Sequence, residues 1–127
     1  MSTYEVSVRV SFSAAHAIPH GDGRMEKSHV HTWETTATFR SRSIDNEMGV
    51  VIDFLAVKTA MDAIASRLGG ENLNDLDAFS AVTTSAENVA AHIAGELRRE
   101  LPDQNLLYRL SVTEAPGCEA AYYPNET

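Results

Sequence analysis

The chain has a single cysteine, Cys118, so no intrachain disulfide can form and no cluster of thiolates can hold a metal. Basic residues are also scarce. Ten Lys and Arg face 18 Asp and Glu, a formal net charge of −8 that opposes the phosphate neutralisation required by nucleic acid or an anionic membrane. Neither partner is expected. No apolar run approaches the roughly 20 residues of a membrane helix, and the opening MSTYEVSVRV lacks the basic and apolar segments of a secretion signal, so a cytoplasmic location is expected. The 127 residues, 43% hydrophobic and 22% charged, predict one folded domain spanning 1–127.

Two kinds of periodicity are present. From Thr3 to Ser13, Tyr4, Val6, Val8, Val10 and Phe12 alternate with polar residues, the period-two pattern of a half-buried strand. A second strand runs from His29 to about Arg40, with Trp33, Thr35, Ala37 and Phe39 on one face. The loop AIPHGDGRMEKS separates the two. Asp53 can cap a helix carrying Phe54, Val57, Met61, Ile64 and Leu68 at helical spacing, ending at Gly69-Gly70. After the polar loop ENLNDLDAFSAV, a capping-box spacing from Thr84 to Glu87 opens a second helix bearing Val89, Ile93, Leu97 and Leu101. Strands near Asn105–Glu114 and Glu119–Tyr123, joined by Pro116-Gly117, end the chain. The order β-β-α-α-β-β predicts an α+β fold, a four-stranded antiparallel sheet with both helices on one face. Its two free edges predict pairing between subunits, with sheets joined into a closed oligomeric barrel.

Parity along the strands then places the ionisable groups. The apolar set of the first strand extends through Ala14 to His16. That of the second extends backwards to His31 and His29. Leu106, Tyr108, Leu110 and Val112 extend forwards to Glu114. If the first two strands are antiparallel neighbours, His16 meets His29 and His31 at one sheet edge, and three imidazoles with an open fourth position are the ligand set of a catalytic zinc. Glu114, a carboxylate at the end of an apolar face, either reaches solvent at the strand end or takes a partner, and the guanidine-like edge of a pterin or guanine would supply two parallel N–H donors. Glu26, in the loop three residues before His29, reads either as a solvated charge or as a group that could reach a substrate on the metal. Glu87 and Asp53 read first as helix caps.

Taken together, FSAAH, HVH, GVVIDF, Leu73-Asn74, SAEN and VTEAPGCEAAYY resemble the 6-pyruvoyl-tetrahydropterin synthase family, which includes 6-carboxy-tetrahydropterin synthases. The resemblance implies zinc on His16, His29 and His31, a pterin ring held by Glu114, and a pocket contribution from Ser85 and Glu87. It also implies a homo-oligomer, six subunits in the family's usual form, with active sites between subunits. Two departures bear on activity. Met25 stands where the family's usual cysteine base would be, and Gly69-Gly70 replaces its Asp-His pair. Glu26-Lys27-Ser28-His29 instead resembles a branch with a glutamate base that cleaves the pterin side chain. The implied activity is a zinc-dependent lyase acting on a dihydropterin such as 7,8-dihydroneopterin triphosphate. The alternative is a catalytically impaired zinc protein that binds a pterin or purine.

Overall fold

The computed structural model describes residues 2–101 and 106–125. Strands β1 (Tyr4–His16) and β2 (His29–Ser41) are followed by helices α1 (Phe54–Leu68) and α2 (Ala86–Glu100), then by β3 (Leu107–Ala115) and β4 (Cys118–Tyr122). The sheet is antiparallel throughout, in the order β1-β2-β3-β4. Both helices pack into the single core formed by the apolar face of this sheet, with α1 against β1 and α2 against β3 and β4. The expected four-stranded, two-helix architecture is therefore present. Among the described residues no helix is long and apolar enough to cross a membrane.

β1 continues the alternation of its apolar residues for 13 residues without a break, which is why it ends at His16 rather than at Ser13. Val8, Val10, Phe12 and Ala14 are buried, and their polar neighbours Ser7, Arg9, Ser11 and Ser13 are exposed on the opposite face. Trp33 is fully buried in β2, stacked parallel to Phe12 and donating its indole N–H to the Ala14 carbonyl at 3.2 Å. An indole needs that partner once it leaves water.

Three local expectations need correction. Phe54 is half exposed, and Ala60 takes its place on the buried face of α1 with Val57, Met61, Ile64 and Leu68. The register of β2 against β3 shifts between Thr38 and Phe39, so Phe39 faces Leu107 and not Tyr108. Leu107 is accordingly buried, in place of the Leu106 and Tyr108 that strict alternation selected. Asn105, the expected start of β3, lies outside the described residues. The cap of α2 is Ser85, whose hydroxyl accepts from the Asn88 amide at 3.2 Å, so Thr84 and Glu87 do not form the expected capping box. Asp53 does cap α1, accepting from the Leu55 amide at 2.9 Å.

Candidate metal centre

In the β1–β2 ladder His16 stands directly opposite His29, and Ala14 opposite His31. The parity that buries Phe12 and Trp33 thus carries three imidazoles to one end of the same face. Their ring centroids lie 4.4 to 5.2 Å apart. The buried Trp33 ring forms the floor, edge-on to His16 at 4.8 Å. From β3, Glu114 arrives on the same face, its Oε1 2.5 Å from His16 Nε2 and 3.5 Å from His31 Nε2. One ligand atom from each of His16, His29, His31 and Glu114 lies within 4.8 Å of all the others.

Hydrogen bonds on the far side of the rings fix which nitrogen faces inwards. His16 Nδ1 lies 2.7 Å from the Thr84 carbonyl and His29 Nδ1 2.9 Å from the Lys27 carbonyl. A carbonyl only accepts, so both Nδ1 atoms carry a proton and each ring turns its Nε2 towards the centre. His31 has its pKa pushed below the ordinary imidazole value, chiefly by desolvation and then by the neighbouring His29, with Glu114 opposing. This favours the neutral, ligating form. His16 Nε2 is buried and makes no acceptable hydrogen bond, although the Glu114 carboxylate stands beside it. A cation shared between the two atoms, a proton or a metal ion, would make that close approach attractive. The donor set and this orphaned nitrogen both fit a divalent zinc-type cation.

The supports of the site come from segments whose sequence carried little signal. Asn74 accepts the Ala17 amide at 2.9 Å and donates to the Ala17 carbonyl at 2.8 Å, fixing the residue that follows His16. The Thr84 hydroxyl lies 3.2 Å from both that carbonyl and Asn74 Oδ1. Leu73-Asn74 was legible only as a piece of the resemblance, and Thr84 only as a cap.

Glu26 stands beside the cluster, its Oε1 3.9 Å from His29 Nε2. That oxygen accepts the Ile18 amide at 3.0 Å, while the Glu26 amide donates to the Ile18 carbonyl at 3.0 Å, so the loop folds back on itself and pins the carboxylate. In the same loop Arg24 is paired with Asp22 at 2.6 Å. Ser85 is occupied as the α2 cap, and Glu87 is exposed in the first turn of that helix. Neither belongs to the cluster. Gly69-Gly70 forms a turn that hydrogen-bonds along β1, with the Gly70 amide on the Ser13 carbonyl and the Ala15 amide on the Glu71 carbonyl. Gly70 has φ +80°, a conformation unfavourable for a histidine.

Fold and site together define an α+β domain with a three-histidine, one-carboxylate centre at the end of an antiparallel sheet. Residues 5–125 match the sequence profile of the family described as 6-pyruvoyl tetrahydropterin synthase. The human 6-pyruvoyl tetrahydrobiopterin synthase is 31% identical over 132 residues, covering 93% of this chain and 90% of that protein. The dihydroneopterin monophosphate aldolase of Pyrococcus furiosus is 34% identical over 106 residues, 84% of this chain and 85% of that one. The chain belongs to the 6-pyruvoyl tetrahydropterin synthase family. Solved structures agree on the fold. The Caenorhabditis elegans 6-pyruvoyl tetrahydropterin synthase superposes with a TM-score of 0.86 at 21% identity, covering 98% of both chains. A Plasmodium vivax 6-pyruvoyltetrahydropterin synthase with alanine in place of a catalytic glutamate gives 0.79 at 19% identity, covering 99% of this chain and 100% of that one.

Proposed function

We propose that this protein is a zinc-dependent lyase that cleaves the side chain of a dihydropterin, a phosphorylated 7,8-dihydroneopterin, in a retro-aldol reaction. The observation that carries the proposal is the meeting of three inward-facing imidazoles with two carboxylates, Glu26 and Glu114, around one centre. The resemblance to an aldolase acting on dihydroneopterin monophosphate supports the reaction type, and the family's glutamate-replaced relative supports a carboxylate in a catalytic role.

His16, His29 and His31 would hold zinc, which supplies a Lewis acid for the oxygens of the substrate side chain. The chain's own groups do the rest. Glu114 pairs with the guanidine-like edge of the ring and sets its orientation. Glu26, held by the Ile18 amide, accepts the proton of the hydroxyl on the second side-chain carbon. As that C–O becomes a carbonyl, the bond between the first and second side-chain carbons breaks, and its electron pair moves into the C6=N5 imine of the ring. Reprotonation gives 6-hydroxymethyl-dihydropterin and a glycolaldehyde fragment. Ser85 and Glu87 lie at the start of α2, beside the Thr84 carbonyl that orients His16, and would border the pterin pocket from there.

The test is incubation of purified, zinc-loaded protein with dihydroneopterin monophosphate and triphosphate, followed by chromatography for 6-hydroxymethyl-dihydropterin. Its appearance is expected. Binding of either compound without any new product would instead establish a pterin-binding protein, the role that the Gly69-Gly70 replacement favours.

A further inference from the structure

Glu114 occupies a place that ring anchoring does not explain. The guanidine-like edge of a pterin and its 6-substituent are at opposite ends of the bicyclic ring. With the substituent among the three imidazoles, a carboxylate that meets the far edge stands a ring's length away. In the structure it lies against the imidazoles, 2.5 Å from His16 Nε2 and 3.5 Å from His31 Nε2. One side chain cannot hold both positions at once.

Resting on the zinc reading above, we propose that Glu114 is a displaceable fourth ligand. In the ligand-free protein its carboxylate closes the coordination sphere begun by His16, His29 and His31, and an incoming pterin draws it away. The distances suit that role. With bonds of about 2.0–2.1 Å, the edge of a tetrahedral ligand set is roughly 3.3 Å. The His31–Glu114 separation is close to such an edge, and the shorter His16–Glu114 contact has the carboxylate crowding the position a cation would take. Three neutral imidazoles leave the full double charge of the ion uncompensated beside the buried Trp33, and a carboxylate offsets half of it.

The backbone leaves this side chain able to move. The pairing of β3 with β4 is irregular between Thr113 and Ala115, whose partners are the consecutive residues Glu119 and Cys118, so Glu114 has no residue opposite it on β4. Leaving the metal costs a carboxylate–cation bond, and a pterin edge offers two parallel N–H donors to the freed carboxylate in its place. A ligand without that edge offers no such exchange. The displacement would therefore select for the ring before the metal is opened to the side chain.

Cobalt(II) reports coordination directly. Wild type, Glu114→Gln and Glu114→Ala are titrated with cobalt and followed by visible absorption, zinc affinity is measured by competition with a chromophoric chelator, and far-ultraviolet circular dichroism checks that each variant is folded. Glu114→Ala is expected to weaken zinc at least about tenfold and to change the cobalt spectrum. Unsubstituted pterin, added to the cobalt wild type, is expected to move the spectrum in the same direction and to leave that of Glu114→Ala unchanged. Folded Glu114 variants with wild-type spectra and affinities would overturn the proposal while leaving the three-histidine site standing. A wild type that takes up neither metal would remove the zinc reading itself, and the fourth ligand with it.

Discussion

Two side chains next to the histidines carry separable roles. Glu26 reaches the centre through its carboxylate, its Oε1 3.9 Å from His29 Nε2, from where it could accept a proton from a substrate held there. Glu26→Gln keeps the shape and removes the proposed base, so kcat is expected to fall by about 10²–10⁴-fold with zinc content unchanged. Steady-state rates alongside metal analysis check this, and undiminished turnover would remove Glu26 from the chemistry. Asn74 acts at one remove. It satisfies both backbone groups of Ala17, and with Thr84 it sets the direction of the His16 ring. Asn74→Ala leaves the Ala17 amide without its partner, at a cost of about 1–3 kcal/mol, while the Ala17 carbonyl keeps the Thr84 hydroxyl. The same substitution is expected to weaken zinc by about 10–100-fold, since supporting groups of this kind orient the ligand. Denaturant unfolding and chelator competition measure the two effects, and loss of stability with unaltered zinc affinity would show that Asn74 only braces the loop.

At the scale of elements, adjacent hydroxyl residues at the start of α2 divide two tasks. Thr84-x-x-Glu87 and Ser85-x-x-Asn88 both have cap spacing, and sequence alone does not choose between them. The choice follows from tertiary structure, because the Thr84 carbonyl accepts from His16 and its hydroxyl turns to Ala17. Ser85→Ala is therefore expected to destabilise the fold by about 0.5–2 kcal/mol, and Thr84→Val to disturb the metal centre instead. Thermal melts with and without zinc separate them. The same competition between local pattern and tertiary demand decides what else was legible. Period-two alternation carried His16, His29 and His31 to one face because β1 and β2 keep their register through that end. Glu114 kept its parity with Leu110 and Val112 because the irregularity in β2–β3 falls before them, at Phe39. The same irregularity hid Leu107, since LLYRL alternates acceptably in either register. Leu73 and Phe79 are buried in single-turn helices of a stretch that reads as a polar loop, where isolated apolar residues set up no period.

The whole molecule leaves a problem of edges. β1 is an outer strand of 13 residues, and the contacts described along its free side, from the Gly70 amide and to the Glu71 carbonyl, meet only its last few residues. A long, regular edge of this kind invites pairing with another chain. β4 supplies the opposite edge. The face turned away from the helices is polar, with Arg9 near Glu34, Arg40 on Glu5 and Arg109 on Glu119, so it can line an interior holding water without burying unpaired charge. Pairing β1 of one copy with β4 of the next would satisfy both edges and curl the sheets into a barrel, which removes edges altogether. The expected particle is a closed oligomer of subunits, a hexamer by the family resemblance. Light scattering on the protein eluting from a sizing column should then give a mass near six times 13.8 kDa, unchanged on dilution through the micromolar range. A particle of 13.8 kDa under those conditions would leave the edges to be protected within a single chain, and would rule out a site completed by a neighbour.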